Sequence, residues 1–243
     1  MRHMGFTDLH SHLVPGVDDG TVTVDESLDT LAALRADGVT AVVTTPHLIL
    51  PRLATRAGAQ RELDRHRAAF ERVVEAMAGR DGLPAFELGQ EVFAPTAEWI
   101  ELALPLAGLG LAGGRYLLVE FGFDLAGTHE DVVRAVVDGG RGIIIAHAER
   151  YRFPVGVDPI ETMHRWRELG ALLQVNVGSL SGHYRASSPE SERLAWRMVD
   201  EGLADLLASD HHGPRREGVS PGAAARLLEE RGRGDLVRRL LAD

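Results

Sequence analysis

Gly142-Ile143-Ile144-Ile145-Ala146-His147 is the stretch on which the fold is read. A short run of β-branched apolar residues has the composition of a strand covered on both faces, as in parallel sheets. This one ends on a histidine, and the arrangement recurs along the chain. Residues 5–9 lead into Asp8-Leu9-His10-Ser11-His12, Val39–Thr44 into Thr44-Thr45-Pro46-His47, and 85–89 into Gly89-Gln90-Glu91. The run 116–121 carries Val119-Glu120, and 205–208 leads into Ser209-Asp210-His211-His212. Of the seven runs, 172–177 alone ends without an obvious ligand, in Gly178-Ser179, and 5–9 has the weakest strand pattern. A parallel barrel gathers the C-terminal ends of its strands around one mouth. Ligand-type residues spread over most of the chain would then converge on one pocket, as in a metal-dependent hydrolase.

Helical segments separate the runs. Residues 25–37 place Leu28, Leu31 and Ala32 at helical spacing and stop at Gly38. Further helices are expected over 56–80, 95–103, 128–138, 160–169 and 189–201. From Ser220-Pro221, a good cap and first helical residue, the tail to 243 reads as one or two amphipathic helices with a break at Arg231-Gly232-Arg233-Gly234. Strand–helix alternation argues for βα units. With no repeat, low-complexity segment or Pro/Ser-rich linker, residues 1–243 read as a single domain with C-terminal helices from about 221.

Bulk properties narrow the function. Of 243 residues, 44% are hydrophobic, which is enough for a substantial core. The net charge of −10 disfavours broad nucleic-acid binding. No apolar stretch is long enough to span a bilayer, and Met1-Arg2-His3-Met4 leads straight into a strand without a signal-like region. A cytoplasmic protein is expected. The absence of cysteine closes disulfides, thiolate metal sites and every mechanism with a cysteine nucleophile.

Each candidate has an ordinary alternative. His10 and His12 stand two apart, so on an extended segment both face the same way and reach one ion. Asp18-Asp19-Gly20 suits a solvated turn, but beside the histidine pair one of the two aspartates is expected to be a ligand. His47 could be a hydrogen-bonded structural residue. Glu91 and Glu120 lie at apolar runs, where a carboxylate is costly unless paired or bound to a cation. An arginine could serve either, but a metal explains both. His147, Asp210 and His212 each could be satisfied core groups, yet one topology brings all of them together. Of the eleven histidines, His3, His66, His129, His164 and His183 are expected on the surface, and His211 is left open between two candidate ligands.

Asp8-Leu9-His10-Ser11-His12 with Pro15-Gly16-Val17-Asp18-Asp19-Gly20, then Thr45-Pro46-His47, Ala146-His147-Ala148-Glu149-Arg150-Tyr151 and Ser209-Asp210-His211-His212, resembles the polymerase and histidinol phosphatase (PHP) superfamily. The turn at 15–20, the segment 146–151 and Gln174-Val175-Asn176-Val177-Gly178-Ser179-Leu180-Ser181-Gly182-His183-Tyr184 look like its CpsB/YwqE-type tyrosine-phosphatase branch, linked to capsule and exopolysaccharide synthesis. The similarity runs from about Thr7 to about Arg216. It implies an α/β fold, a single distorted (β/α)7 TIM-like barrel, with three divalent metal ions, Mn²⁺ first and Fe or Zn as alternatives. By the same resemblance His10, His12, Glu91 and Asp210 hold one ion. Glu91 bridges to a second ion held by Glu120 and His147. Asp19, His47 and His212 hold the third.

The chain departs from the family pattern in three places. Gly213-Pro214-Arg215-Arg216 follows the last histidine where an Asn and a later Arg are usual, Arg185 stands where Gly is frequent, and Leu48-Ile49-Leu50-Pro51-Arg52 is apolar. These bear on substrate rather than on the metal ligands. The implied activity is phosphotyrosine hydrolysis by metal-activated hydroxide, on a protein substrate such as the tail of a bacterial tyrosine kinase. Arg150 and one of Arg215 and Arg216 would clamp the phosphate. A phenolate leaving group, of pKa about 10, needs little protonation. A histidinol-phosphate-type phosphatase and a non-catalytic metal-bound regulator of the kinase are the alternatives, and a homo-oligomer is compatible with either.

Overall fold

In the computed structural model the described residues are 5–216 and 218–241, so His3 and the last two residues of the expected helical tail lie outside them. The strands are β1 (Phe6–Asp8), β2 (Val39–Thr44), β3 (His47–Ile49), β4 (Ala85–Leu88), β5 (Glu91–Phe93), β6 (Tyr116–Glu120), β7 (Gly142–Ile145), β8 (Ala171–Asn176) and β9 (Leu206–Ala208). The helices are α1 (Val24–Ala36), α2 (Leu50–Leu53), α3 (Arg56–Met77), α4 (Ala97–Ala103) and α5 (His129–Asp138), followed by α6 (Pro159–Glu168), α7 (Val177–Leu180), α8 (Pro189–Asp200), α9 (Pro221–Glu230) and α10 (Val237–Leu241). Caps written in the sequence start several of them. Thr23, Thr55, Asp158 and Ser220 each accept a backbone N–H of the first turn of α1, α3, α6 and α9.

Every strand pairing is parallel. The pairings form two sheets, β1-β2-β4 and β3-β5-β6-β7-β8-β9, rather than one seven-membered set. Nine strands stand where seven runs were expected, because β3 and β5 are additional and lie just past the ends of the runs 39–44 and 85–89. Pro46, which has no N–H to donate, separates β2 from β3. Gly89 and Gln90 separate β4 from β5, and a Cβ on Gly89 would stand 2.8 Å from the Leu111 side chain. Hydrogen bonds from Gly89 N to Thr44 O (2.8 Å) and from Glu91 N to Pro46 O (3.2 Å) cross the break. At the other edge the segments beyond β1 and β9 meet, with Asp210 N donating to His10 O (2.8 Å) and His12 N to His211 O (2.7 Å).

The main core lies between β6–β8 and the helices outside them, centred on fully buried Ile143, Ile145, Leu117, Met163 and Trp166. A smaller one sits under α1 and α3 around Leu31, Val42, Val73 and Phe86. A third joins Val43, Leu118, Ile144 and Ala146 with Leu172 and Leu206 between the strands. Strand side chains repeat every two residues, so the positions above this third layer are Glu120 over Leu118, Gln174 then Asn176 over Leu172, and Asp210 beyond Leu206 and Ala208. The same face of the sheet is therefore apolar at its lower end and ligand-bearing at its upper end.

Two histidine expectations change. His66 is not on the surface. α3 lays it inward, fully buried, with Nδ1 2.7 Å from Gln90 Oε1. His129 is half-buried because the indole N–H of Trp166 donates to it (2.7 Å). His164 and His183 are exposed, as expected.

Candidate metal centre

All nine residues expected as ligands come together at the C-terminal ends of the strands, in four overlapping groups whose donor atoms lie within 4.8 Å of one another. The groups are His10/His12/Asp210, His10/Glu91/His147, His47/Glu91/Glu120 and His12/Asp19/His47/His212. Glu91 is shared, with Oε1 2.9 Å from His147 Nε2 and Oε2 2.7 Å from His47 Nδ1. Asp210 Oδ1 stands 3.3 Å from His12 Nε2 and 3.5 Å from His10 Nε2. Asp19 Oδ1 lies 3.4 Å from both His47 Nε2 and His212 Nε2. Glu120 and His147 share Glu91 as a neighbour but fall in separate groups. The centre runs from a buried floor of His10, His12 and Glu91 to a rim where the Asp19 side chain is 66% exposed.

Second partners fix which nitrogen of each ring faces the centre. Gln174 Oε1 receives the His147 backbone N–H (3.0 Å), so it is the amide oxygen, and it also receives His10 Nδ1 (2.9 Å). His12 Nδ1 donates to Asp18 Oδ2 (2.8 Å), and His212 Nδ1 to the Asp210 carbonyl (2.8 Å). In each ring Nδ1 is thus bonded outward and Nε2 points into the centre. Metal-ligating histidines are oriented by just such outer partners.

Two of the candidate ligand positions have unusual backbone. His147 (φ 33°) and Asp210 (φ 51°) are non-glycine residues in the left-handed region. Such residues cluster at functional sites, held by their surroundings. Here the His147 N–H bond to Gln174 and the Asp210 N–H bond to His10 do the holding.

Electrostatics point the same way. Burial raises Glu120 to about 7, with the Glu91 carboxylate nearby adding to the rise. Burial works against a charged His47, but Glu91 and the hydrogen bond to Asp19 bring it to about 10. Hydrogen bonds from His212 and His47 hold Asp19 well below the usual carboxylate range. Glu91, Glu120 and Asp210 are crowded together out of water. The inward nitrogens of His10 and His12 face each other at 3.2 Å. Both arrangements are costly without positive charge between them. Clustered imidazole and carboxylate donors of this kind fit divalent cations such as Mn²⁺, Fe²⁺ or Zn²⁺.

A family model for capsular polysaccharide synthesis, CpsB/CapC, matches residues 6–243. The chain belongs to the CpsB/CapC family. It is 27% identical over 228 residues to the tyrosine-protein phosphatase YwqE of Bacillus subtilis, which covers 92% of this chain and 84% of that protein. It is also 27% identical over 207 residues to CapC of Staphylococcus aureus, covering 84% and 76%. A crystallographic study of YwqE and of CpsB from Streptococcus pneumoniae, described as metal-dependent tyrosine phosphatases, supplies a fold match. Its TM-score is 0.77 at 24% identity, covering 95% of this chain and 89% of that one. An Escherichia coli phosphotriesterase homology protein with phosphate in its active site shares the fold more loosely, with a TM-score of 0.54 at 13% identity.

In this CpsB/CapC chain the three candidate arginines separate. Arg150 and Arg216 enter the centre, donating to Asp210 Oδ2 at 3.2 and 3.1 Å. Arg150 stacks on Tyr184 (4.1 Å to the ring centre), and Arg216 lies over the same ring (5.2 Å) and bonds its hydroxyl. Burial beside Arg150 lowers Arg216 only to about 10, so it stays protonated at neutral pH. Arg215 turns away and donates to the Asp19 and Gly20 carbonyls, tying down the loop that carries Asp19.

Three supporting residues were given no such role from the sequence, where Asp18 was weighed only as a ligand alternative to Asp19. Asp18 holds His12 and also receives His47 N (3.1 Å). Gln174 holds His10 and His147, and Asn176 donates to Asp210 Oδ2 (2.8 Å) and to Tyr184 (3.2 Å). Strand β8, which ends without a ligand, thus carries the outer partners instead. Its signal was Gln174 and Asn176, two polar residues two apart inside an otherwise apolar run. His211, left open, faces away. Its Nδ1 accepts the Gly213 N–H (3.0 Å), and burial lowers it to about 4.

Proposed function

We propose that this chain is a metal-dependent protein-tyrosine phosphatase that acts on a phosphotyrosine protein, such as the tail of a tyrosine kinase in polysaccharide synthesis. The observation that carries the reading is nine nitrogen and oxygen donors in overlapping groups with Arg150 and Arg216 at their edge. The names of the CapC and YwqE relatives and the family description agree with it. We also read the two sheets as one distorted seven-membered barrel, and residues 1–243 as one domain.

Three divalent ions are proposed, with Mn²⁺ as the first choice. His10, His12, Glu91 and Asp210 would hold one, Glu91, Glu120 and His147 a second, and Asp19, His47 and His212 the third. Bound there, the ions supply Lewis acidity and a water acidified towards neutrality. The chain supplies the rest. Arg150 and Arg216, anchored on Asp210 Oδ2 by one N–H each, would turn their remaining N–H groups to the non-bridging phosphate oxygens. The Tyr184 ring lies against both guanidiniums. Gln174, Asp18 and Asn176 hold the ligands in place before substrate arrives, so little reorganisation is left for the chemical step. Tyrosine is a good leaving group as phenolate, so no dedicated acid is required. With no cysteine in the chain, a cysteinyl-phosphate route is closed.

Asp210→Ala and His147→Ala should each abolish phosphotyrosine turnover while circular dichroism shows a folded protein. Full activity in either variant with unchanged metal content would refute the assignment.

A further inference from the structure

Large apolar side chains exposed among the described residues are few, namely Val22, Val74, Phe123, Val137, Val155 and Val157. Phe123 alone is aromatic, and it stands at the centre just described. Its ring lies over the Arg150 guanidinium (4.8 Å) and 5.7 Å from the His147 ring. The backbone that carries it is fixed. Arg152 N donates to Phe123 O (2.7 Å) and Leu125 N to Arg152 O (3.2 Å). Arg152 also grips Asp124 with two bonds of 2.6 and 2.7 Å. Gly122, at φ 92°, makes the turn that brings the ring to the mouth, and a Cβ there would come within 3.1 Å of Phe93. An apolar ring held rigid and left 36% exposed beside a half-buried cation is an unfinished contact.

We propose that Phe123 is the shelf for the substrate's phenyl ring, and that it makes the site selective for aryl over alkyl phosphomonoesters. The inference rests on the phosphatase reading above and deepens it. In an aryl phosphate the ring is joined to phosphorus through one oxygen. A phosphate held by Arg150 therefore sets that ring beside whatever flanks Arg150. The Arg150 guanidinium lies 4.1 Å from the centre of the buried Tyr184 ring and 4.8 Å from that of Phe123, and of the two rings Phe123 is the open one. Aromatic rings meet favourably edge-to-face or offset. A phosphoserine offers only a methylene at the same place and gains little from the shelf. Because the loop is already pinned, the contact requires no ordering on binding.

The test compares Phe123→Ala and Phe123→Tyr with the wild type, all loaded with Mn²⁺. Phe123→Ala should lower kcat/KM for a phosphotyrosine peptide about tenfold, the order of one lost aromatic contact. Its kcat/KM for the phosphoserine counterpart should stay within about twofold, and Phe123→Tyr should keep the aryl preference. Calorimetric binding of phenylphosphonate should weaken in Phe123→Ala in parallel, with methylphosphonate unaffected. Equal losses on aryl and alkyl substrates would mean that Phe123 only props Arg150, and would overturn the proposal, as would no loss on either. A wild type that hydrolyses no phosphotyrosine yet prefers phenylphosphonate through Phe123 would remove the phosphatase reading and leave the shelf standing.

Discussion

Asp18→Asn tests how the centre is held without touching any of the nine proposed ligands. The Asp18 carboxylate accepts three N–H groups, from His12 Nδ1 (2.8 Å), Gly20 N (2.9 Å) and His47 N (3.1 Å). Burial alone would raise its pKa, but His12 beside it brings the group down to about 2. It is therefore ionised across the working range. Asparagine preserves the shape but removes the charge and replaces one acceptor oxygen by an NH₂ group. Whichever way the amide turns, at least one of the three donors then faces another donor. Loss of an outer partner typically costs about 10- to 100-fold in metal affinity. That corresponds to about 1.4–2.7 kcal/mol. The upper end is expected here, because one carboxylate positions the His12 ring and the His47 backbone together. Calorimetric titration of Mn²⁺ into the metal-free variant should show this loss, with circular dichroism unchanged. Because its folded pKa is depressed, Asp18 stabilises the wild type above the unfolded value near 4, and this is lost as pH falls through about 2. The variant should lack that acid limb. A Mn²⁺ affinity within about twofold of wild type would refute the argument that this carboxylate orients the ligands.

Two further outcomes follow from single groups. Burial raises Glu149 to about 7, although Ser179 Oγ and Asn176 N both donate to its Oε1. The folded protein thus holds this proton more tightly than the unfolded chain, and the contribution is complete below about pH 4 and lost as pH rises through 7. In thermal melts of metal-free protein, Glu149→Gln should gain on wild type by on the order of 3 kcal/mol between pH 5 and 8. A difference independent of pH would contradict the burial argument. Arg216→Ala should lower kcat/KM for phosphotyrosine about 100-fold, the scale of one lost charge-stabilising donor. Arg215→Ala, which only loosens the Asp19 loop, should act mainly on metal affinity, and the reverse order in steady-state kinetics would show that the two arginines have been assigned the wrong way round.

Much of the fold was legible because β-strand and helix leave different periods in the sequence. All seven apolar runs contain a strand, and the cap expected at Ser220 lies where α9 begins. The breaks at Pro46 and Gly89 were not read, because β3 and β5 are each three residues long and too short to show a period. Residues whose chemistry is unusual for a strand end, such as His10, Glu91 and His147, announced themselves. Residues that act through them did not. Asp18 looks like any turn aspartate, and only its bond to His12 separates it from Asp19. Gln174 and Asn176 lie in the one run judged empty, and their pairing with His10 and Asp210 joins positions far apart in the chain. His66 was misplaced because α3 is rich in charge, and its buried face depends on Gln90, which only the fold brings near. The left-handed backbone at His147 and Asp210 leaves no mark in residue type at all.

The most direct measurement is metal content by elemental analysis of the purified protein, paired with phosphotyrosine-peptide turnover before and after chelation. The account predicts about two to three divalent ions per chain, turnover lost on chelation and restored by Mn²⁺. A protein that binds no metal, or one whose turnover survives thorough chelation, would contradict it.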